Sequence, residues 1–174
     1  MRVLRSILAT LAGCLLLAPA FAEVSAADLQ ILARALSFLE KPPVGEVSVG
    51  IVYSPGNAPS VREAEAVQGM LRDGLKVGNL TLKGEAVPVS QLGRVNVDLI
   101  LLTGGLNEEA NSVAEISRSR HLVCVTTDLA QVRKGTCLMG IRSVPKIEIL
   151  VNQAVAATNG TKFSTVFRML ITEI

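Results

Sequence analysis

The chain has 174 residues, with 17 Lys and Arg against 15 Asp and Glu, no Trp, one Tyr and three Cys. Arg2 and Arg5 fall in the first 22 residues, which carry no acid, so residues 23–174 hold 15 basic and 15 acidic side chains. A neutral chain without a basic stripe lacks the electrostatic footprint of a nucleic-acid binder, which sets that partner class aside.

The chain opens with the basic stretch Met1–Arg5, runs uncharged from Ser6 to Ala22, and carries the small-residue site Ala20-Phe21-Ala22 ahead of Glu23. This is the layout of a cleavable export signal. The apolar run contains Pro19 and is marginal for the ~20 residues of a spanning helix. We therefore expect cleavage after Ala22, with Ala26 as a second site, leaving one domain over residues 23–174. An uncleaved anchor is the structural alternative. A third reading is a lipoprotein through Cys14, because Leu11-Ala12-Gly13-Cys14 has the form of a lipobox. It is less favoured, since Leu15 to Ala22 would then stay as an apolar stub.

Beyond the signal, Leu29, Leu32, Leu36 and Leu39 recur with a helical period and predict an amphipathic helix over Ala26–Glu40, stopped by Pro42-Pro43. Alternation from Glu46 to Tyr53 predicts a strand. After the turn-rich Ser54–Pro59, Ser60 followed by Glu63 reads as a capping box, opening a helix with Val61, Ala64, Val67, Met70 and Leu71 inward and ending near Gly74. A second strand is expected over Leu80–Val89, broken around Gly84. The apolar run within Val95–Thr103 suits a strand buried on both faces. A helix over Asn107–Ser117, with Glu108 and Glu109 at its start, and a strand His121–Val125 follow. Asp128, with Gln131 three residues on, reads as the cap of a short helical turn. Two short strands, Cys137–Ile141 and Lys146–Val151, form a hairpin, and helices Gln153–Thr158 and Ser164–Thr172 finish the chain around the Asn159-Gly160 stop. The alternation predicts an α/β domain: three layers, a mostly parallel sheet flanked by helices, and a C-terminal antiparallel hairpin.

Chemistry is sparse in this pattern. His121 is the one histidine and has no His or Cys at ligand spacing, so no metal site is expected. No nucleophile elbow or Cys-His couple is present, no cofactor motif is found, and the chain reads as a non-enzyme. Cys124 and Cys137 are the pair left after signal removal; in an exported protein they read first as a disulfide, and otherwise as two small buried apolar residues. In an open parallel sheet ligands sit beyond the carboxyl ends of the strands. That places a candidate small-molecule site on Tyr53, Ser54, Gly56, Asn57, Gly104 and Gly105, whose glycines would otherwise only permit tight turns.

The segments Leu122–Asp128, Lys134–Ile141, Lys146–Asn152 and Phe163–Phe167 resemble the YfiR-like family of bacterial periplasmic proteins, and Ala35–Pro42 fits more loosely the family's aromatic-rich helix end. The resemblance covers about residues 27–174. Lys41 stands where the family shows Trp, and Thr136-Cys137 where a Gly-Met pair is usual. The resemblance implies a periplasmic regulator or sensor that binds an inner-membrane signalling protein, tuned by redox state or ligand. It places partner contacts at Phe38, Glu40, Lys41 and Pro42. A homodimer through the hairpin's edge strands is the oligomer this pattern would allow.

Overall fold

A computed structural model describes residues 23–174. The expected export signal, its cleavage site and Cys14 lie outside the described residues. The elements are α1 (Ala26–Leu36), β1 (Gly45–Tyr53), α2 (Ala58–Leu71), β2 (Leu75–Val77), β3 (Leu80–Pro88), β4 (Leu99–Leu102), α3 (Ala110–Ser119), β5 (Val123–Thr126), α4 (Leu129–Arg133), β6 (Met139–Arg142), β7 (Glu148–Val151), α5 (Gln153–Thr158), α6 (Thr165–Arg168) and β8 (Thr172–Glu173).

The strands form one eight-stranded sheet in the order β2-β3-β1-β4-β5-β6-β7-β8. β3, β1, β4, β5 and β6 run parallel to one another. The β2–β3 and β6–β7 pairs are antiparallel, and β8 runs parallel to β7. Taken in their own chain order, the five parallel strands lie second-first-third-fourth-fifth. That order reverses between β1 and β4, which is where a doubly wound sheet opens its crevice.

Side-chain alternation sorts the sheet into two cores. Val47, Val49, Ile51, Leu99, Leu101 and Val125 face the side packed by α1 and α2. Val52, Ile100, Leu102 and Cys124 face the other side, with Val113 of α3 and Val132 of α4. The continuous apolar run in β4 is thus needed on both faces, as its sequence implied. Phe167 of α6 joins the α1 side, where it stacks on Phe38 with ring centroids 5.1 Å apart and meets Phe163 at 5.1 Å.

The elements depart from the sequence reading at several points. α1 ends at Leu36, four residues early, because Phe38 to Glu40 turn to meet the C-terminal segment: Ser164 N–H donates to Phe38 O at 2.8 Å and Glu40 N–H to Lys162 O at 2.9 Å. α2 starts at Ala58, with Asn57 as its cap and Pro59 in the first turn, where a missing N–H is harmless. Met70 lies at the exposed margin of that helix rather than inside. β3 passes through Gly84 without a break; a Cβ there would press on Leu71 and Ile51, so the glycine permits close packing of α2 on the sheet. β2 had no counterpart in the reading, and joins β3 through Gly78, at φ +60°. The last predicted helix is a single turn, α6, followed by β8. α5 and the Asp128 cap of α4 form where expected, the Asp128 carboxylate accepting Ala130 N–H at 2.9 Å.

Candidate functional site

The loops that follow β1 and β4 meet at the carboxyl edge of the sheet, where the strand order reverses. Asn57 Nδ2 donates to Gly105 O at 3.3 Å, so the structure brings two of the candidate ligand residues into contact. Gly105 has φ +79°, and a Cβ on it would fall on the Asn57 amide. Here the glycine is required both by conformation and by space.

Beneath these loops runs a chain of short polar bonds. Thr103 Oγ1 donates to Val52 O at 3.0 Å and lies 2.6 Å from Ser60 Oγ, which accepts Ser54 N–H at 3.0 Å. Each hydroxyl has one proton. With the Thr103 proton committed to Val52 O, Ser60 donates to Thr103. That explains why Ser60 does not cap α2: its side chain is held by the neighbouring loop, and Asn57 Oδ1 accepts Ser60 N–H instead, at 3.2 Å.

Glu63, the other half of the expected capping box, also turns outward from its own helix. Its carboxylate accepts Gly104 N–H at 2.8 Å and Val24 N–H at 3.2 Å. Burial pushes its pKa above the usual carboxylate range; the two N–H bonds pull it down, and the charges of Glu23 and Asp128 add to the rise. Glu109 completes an acidic rim by accepting the Ser54 hydroxyl at 2.6 Å. Gln131 reaches Thr103 O through Nε2 at 3.5 Å, and its buried Oε1 has no partner among the described residues. Tyr53 is half-buried at the end of β1, while Gly56 is exposed and meets nothing within 4 Å of a built Cβ. The crevice is therefore largely stitched together by its own side chains and carries negative charge. Such an edge disfavours an anion, despite two helix N-termini pointing at it.

The amino edge contrasts with this. Cys124, at the start of β5, is bonded to Cys137 just before β6, with Cα atoms 4.9 Å apart and both residues at 0% exposure. Exchange with an external thiol requires access, so complete burial makes this bond a staple ahead of a switch. His121 is exposed, sits at φ +54°, and its Nδ1 lies 3.3 Å from Asn159 O.

The partner residues named by the resemblance lie on a third surface. Phe38 is half-buried in the aromatic cluster, whereas Glu40, Lys41 and Pro42 are exposed beside it. Glu40 and Lys41 border a shallow hollow of about 280 Å3, and Glu40 also borders one of about 300 Å3 that reaches Phe163 and Arg168. Sequence reasoning missed the exposed apolar group next to them: Val166, Met169, Leu170 and Ile174 are 57%, 75%, 67% and 48% exposed. Their spacing of three and four within Val166–Leu170 was the available signal, but it reads equally well as a buried helix face.

Among the described residues, no group of three or more His, Cys, Asp or Glu is placed to hold a metal ion, and no helix is long and apolar enough to cross a membrane.

No protein-family model matches the chain, and no curated protein matches it. Solved structures share its fold. One, described as the ABC domain in complex with L-Trp from Streptococcus pneumonia, aligns over 84% of this chain and 60% of its own, at 15% identity and a TM-score of 0.59. A conserved domain protein from Vibrio cholerae aligns over 83% of this chain and 58% of its own, at 11% identity and a TM-score of 0.57. The chain thus spans less than two thirds of either structure, and at such identities the likeness is one of fold.

Proposed function

We propose that this chain is an exported, non-catalytic regulator that docks on a membrane signalling protein through the surface formed by the end of α1 and by α6. The observation that carries this reading is the exposed apolar group on α6 and its C-terminal continuation, set against the Phe38–Phe167–Phe163 cluster. Full burial of a Met or Leu side chain is worth roughly 1.5–3 kcal/mol, so leaving Met169 and Leu170 in water is costly unless something covers them. The exposed Glu40, Lys41 and Lys162 supply a polar rim of the kind that surrounds interface cores. The YfiR-like resemblance supports the reading through Phe38, Glu40, Lys41 and Pro42 at the end of α1, though it says nothing of the apolar group on α6, and the N-terminal segment supports export to the periplasm.

The test is affinity capture from detergent-solubilised envelopes with tagged mature protein, comparing wild type with Met169→Glu/Leu170→Glu. One inner-membrane protein with a signalling domain, held by wild type and lost with the variant, is the expected result. A wild-type dimer that the same variant dissolves, with no membrane protein retained, would assign the face to self-association and remove the regulator reading.

A second reading, small-molecule binding at the carboxyl edge, is favoured by the contact between the Asn57 and Gly105 loops and by the fold shared with a domain described as a complex with L-Trp. Amide shifts confined to Gly56, Gly104 and Gly105 on titration with free amino acids would support it; unchanged spectra up to millimolar ligand would not.

A further inference from the structure

At the amino edge, opposite the acidic crevice, the C-termini of α3 and α4 and the side of α5 enclose a hollow of about 350 Å3. Arg118, Arg133 and Lys134 line it, and no Asp or Glu does. None of the three cations takes part in the ion pairs found among the described residues, which join Lys83 to Glu46, Lys162 to Glu40 and Arg168 to Glu173. Cations at helix C-termini ordinarily offset the macrodipole. Two helix ends supply only about half a negative charge each, and the second helix is short, so three full positive charges leave a clear surplus. Dipole compensation does not require the cations of separate helices to converge on one hollow either.

The lining also contains an unused acceptor. Asn159 is 4% exposed, and its Nδ2 donates to Leu122 O at 2.9 Å and to Ser117 Oγ at 3.4 Å. Those bonds fix which way the amide faces and leave Oδ1 with no hydrogen-bond partner among the described residues. A buried acceptor without a donor costs free energy, and a ligand in the hollow would recover it once the Asn159 side chain shifts enough to uncover Oδ1.

We propose that this hollow binds a small dianion carrying a hydrogen-bond donor, with Arg118, Arg133 and Lys134 holding the charge and Asn159 Oδ1 accepting from the donor. Guanidinium groups match carboxylate and phosphate oxygens in pairs, which suits a hydroxy-dicarboxylate or a hydrogen phosphate. The site is independent of any protein recruited by α6 and of the carboxyl-edge reading.

The test is titration of the mature protein at low salt, by calorimetry and by amide-resolved NMR, with malate, succinate and inorganic phosphate. Malate is expected to bind at one equivalent and to shift the Gly135, Thr136 and Thr158 amides. Succinate, which lacks the hydroxyl, is expected to bind at least fivefold more weakly. Phosphate tighter than malate would identify the phosphoryl source, and malate tighter the carboxylate source; either supports the site. Arg133→Ala/Lys134→Ala, both at exposed positions, should weaken binding at least tenfold while leaving the remaining amide spectrum folded. The proposal is overturned by failure of all three probes to bind, by binding that the double variant leaves intact, or by shifts centred on Gly104 and Gly105.

Discussion

The two edges of the sheet are built on opposite plans. At the carboxyl edge, polar side chains tie three segments together: Asn57 bonds Gly105 O, Ser60 bonds Thr103, and Glu63 bonds the N–H groups of Gly104 and Val24. At the amino edge a covalent bond between β5 and the start of β6 holds the backbone, and three cations surround an open hollow. Where cross-linking is done by polar side chains, those side chains are no longer available to a ligand. Where it is done by buried sulfur, the surrounding polar groups stay free. In this molecule the edge expected to take a ligand is also the one that its own polar side chains tie together.

That contrast can be broken from either side. The largest effect is expected from Cys124→Ala/Cys137→Ala, since opening a loop of this size lowers stability by about 3 kcal/mol in the chain-entropy model. Urea denaturation should show the midpoint falling in the variant, and the wild type under a reductant strong enough to open the bond should follow it. Next comes Glu63→Ala, which leaves the N–H groups of Gly104 and Val24 without their acceptor and should cost about 2 kcal/mol.

Glu63 also gives the carboxyl edge a pH signature. Its folded carboxyl holds a proton more tightly than the unfolded chain does, because burial raises its pKa. Its contribution is therefore most favourable in acid, at or below the usual carboxylate range, and declines as pH rises through the folded value. Thermal melts of Glu63→Gln between mild acid and neutrality should show a shallower decline than wild type; an equal slope would mean the buried carboxyl is not the cause. Asn57→Ala removes the α2 cap and the Gly105 contact together and should lower stability by about 1 kcal/mol. The smallest effect belongs to Arg133→Ala/Lys134→Ala, expected to stay within about 0.5 kcal/mol because both side chains are exposed. A larger loss would mean that these cations serve the fold and not a ligand.

How much of this could be read from the sequence depends on how local the deciding contact is. β1, α5, the Asp128 cap and the order of layers rest on near neighbours and period, and the structure has them. The start of α2 does not. Both Asn57 and Ser60 satisfy the local capping rule, and the choice falls to Asn57 because Thr103, 43 residues away, takes the Ser60 hydroxyl. β8 likewise needs its partner β7 to exist as a strand at all, so Thr172 reads as a helix end when taken alone. The disulfide was legible from the cysteine count once an export signal was expected. The basic hollow was not, because Arg118, Arg133 and Asn159 belong to different helices or helix ends and share no spacing pattern. The acidic rim escaped notice for the same reason: Glu63 and Glu109 each look like ordinary first-turn acids until the loops after β1 and β4 bring them to the same edge.

The outer strands carry one more consequence. The sheet finishes in β2, three residues long with Lys76 exposed at its centre, and β8, two residues long. Successive residues in a strand direct their backbone groups to opposite sides, so β8 can show a newcomer the N–H and C=O of a single residue. Edges this short among the described residues give a second chain little backbone on which to add a strand. If α6 recruits a partner as proposed, recognition rests on the shape and greasiness of that helix, and such a complex would tolerate salt far better than changes to Met169 or Leu170.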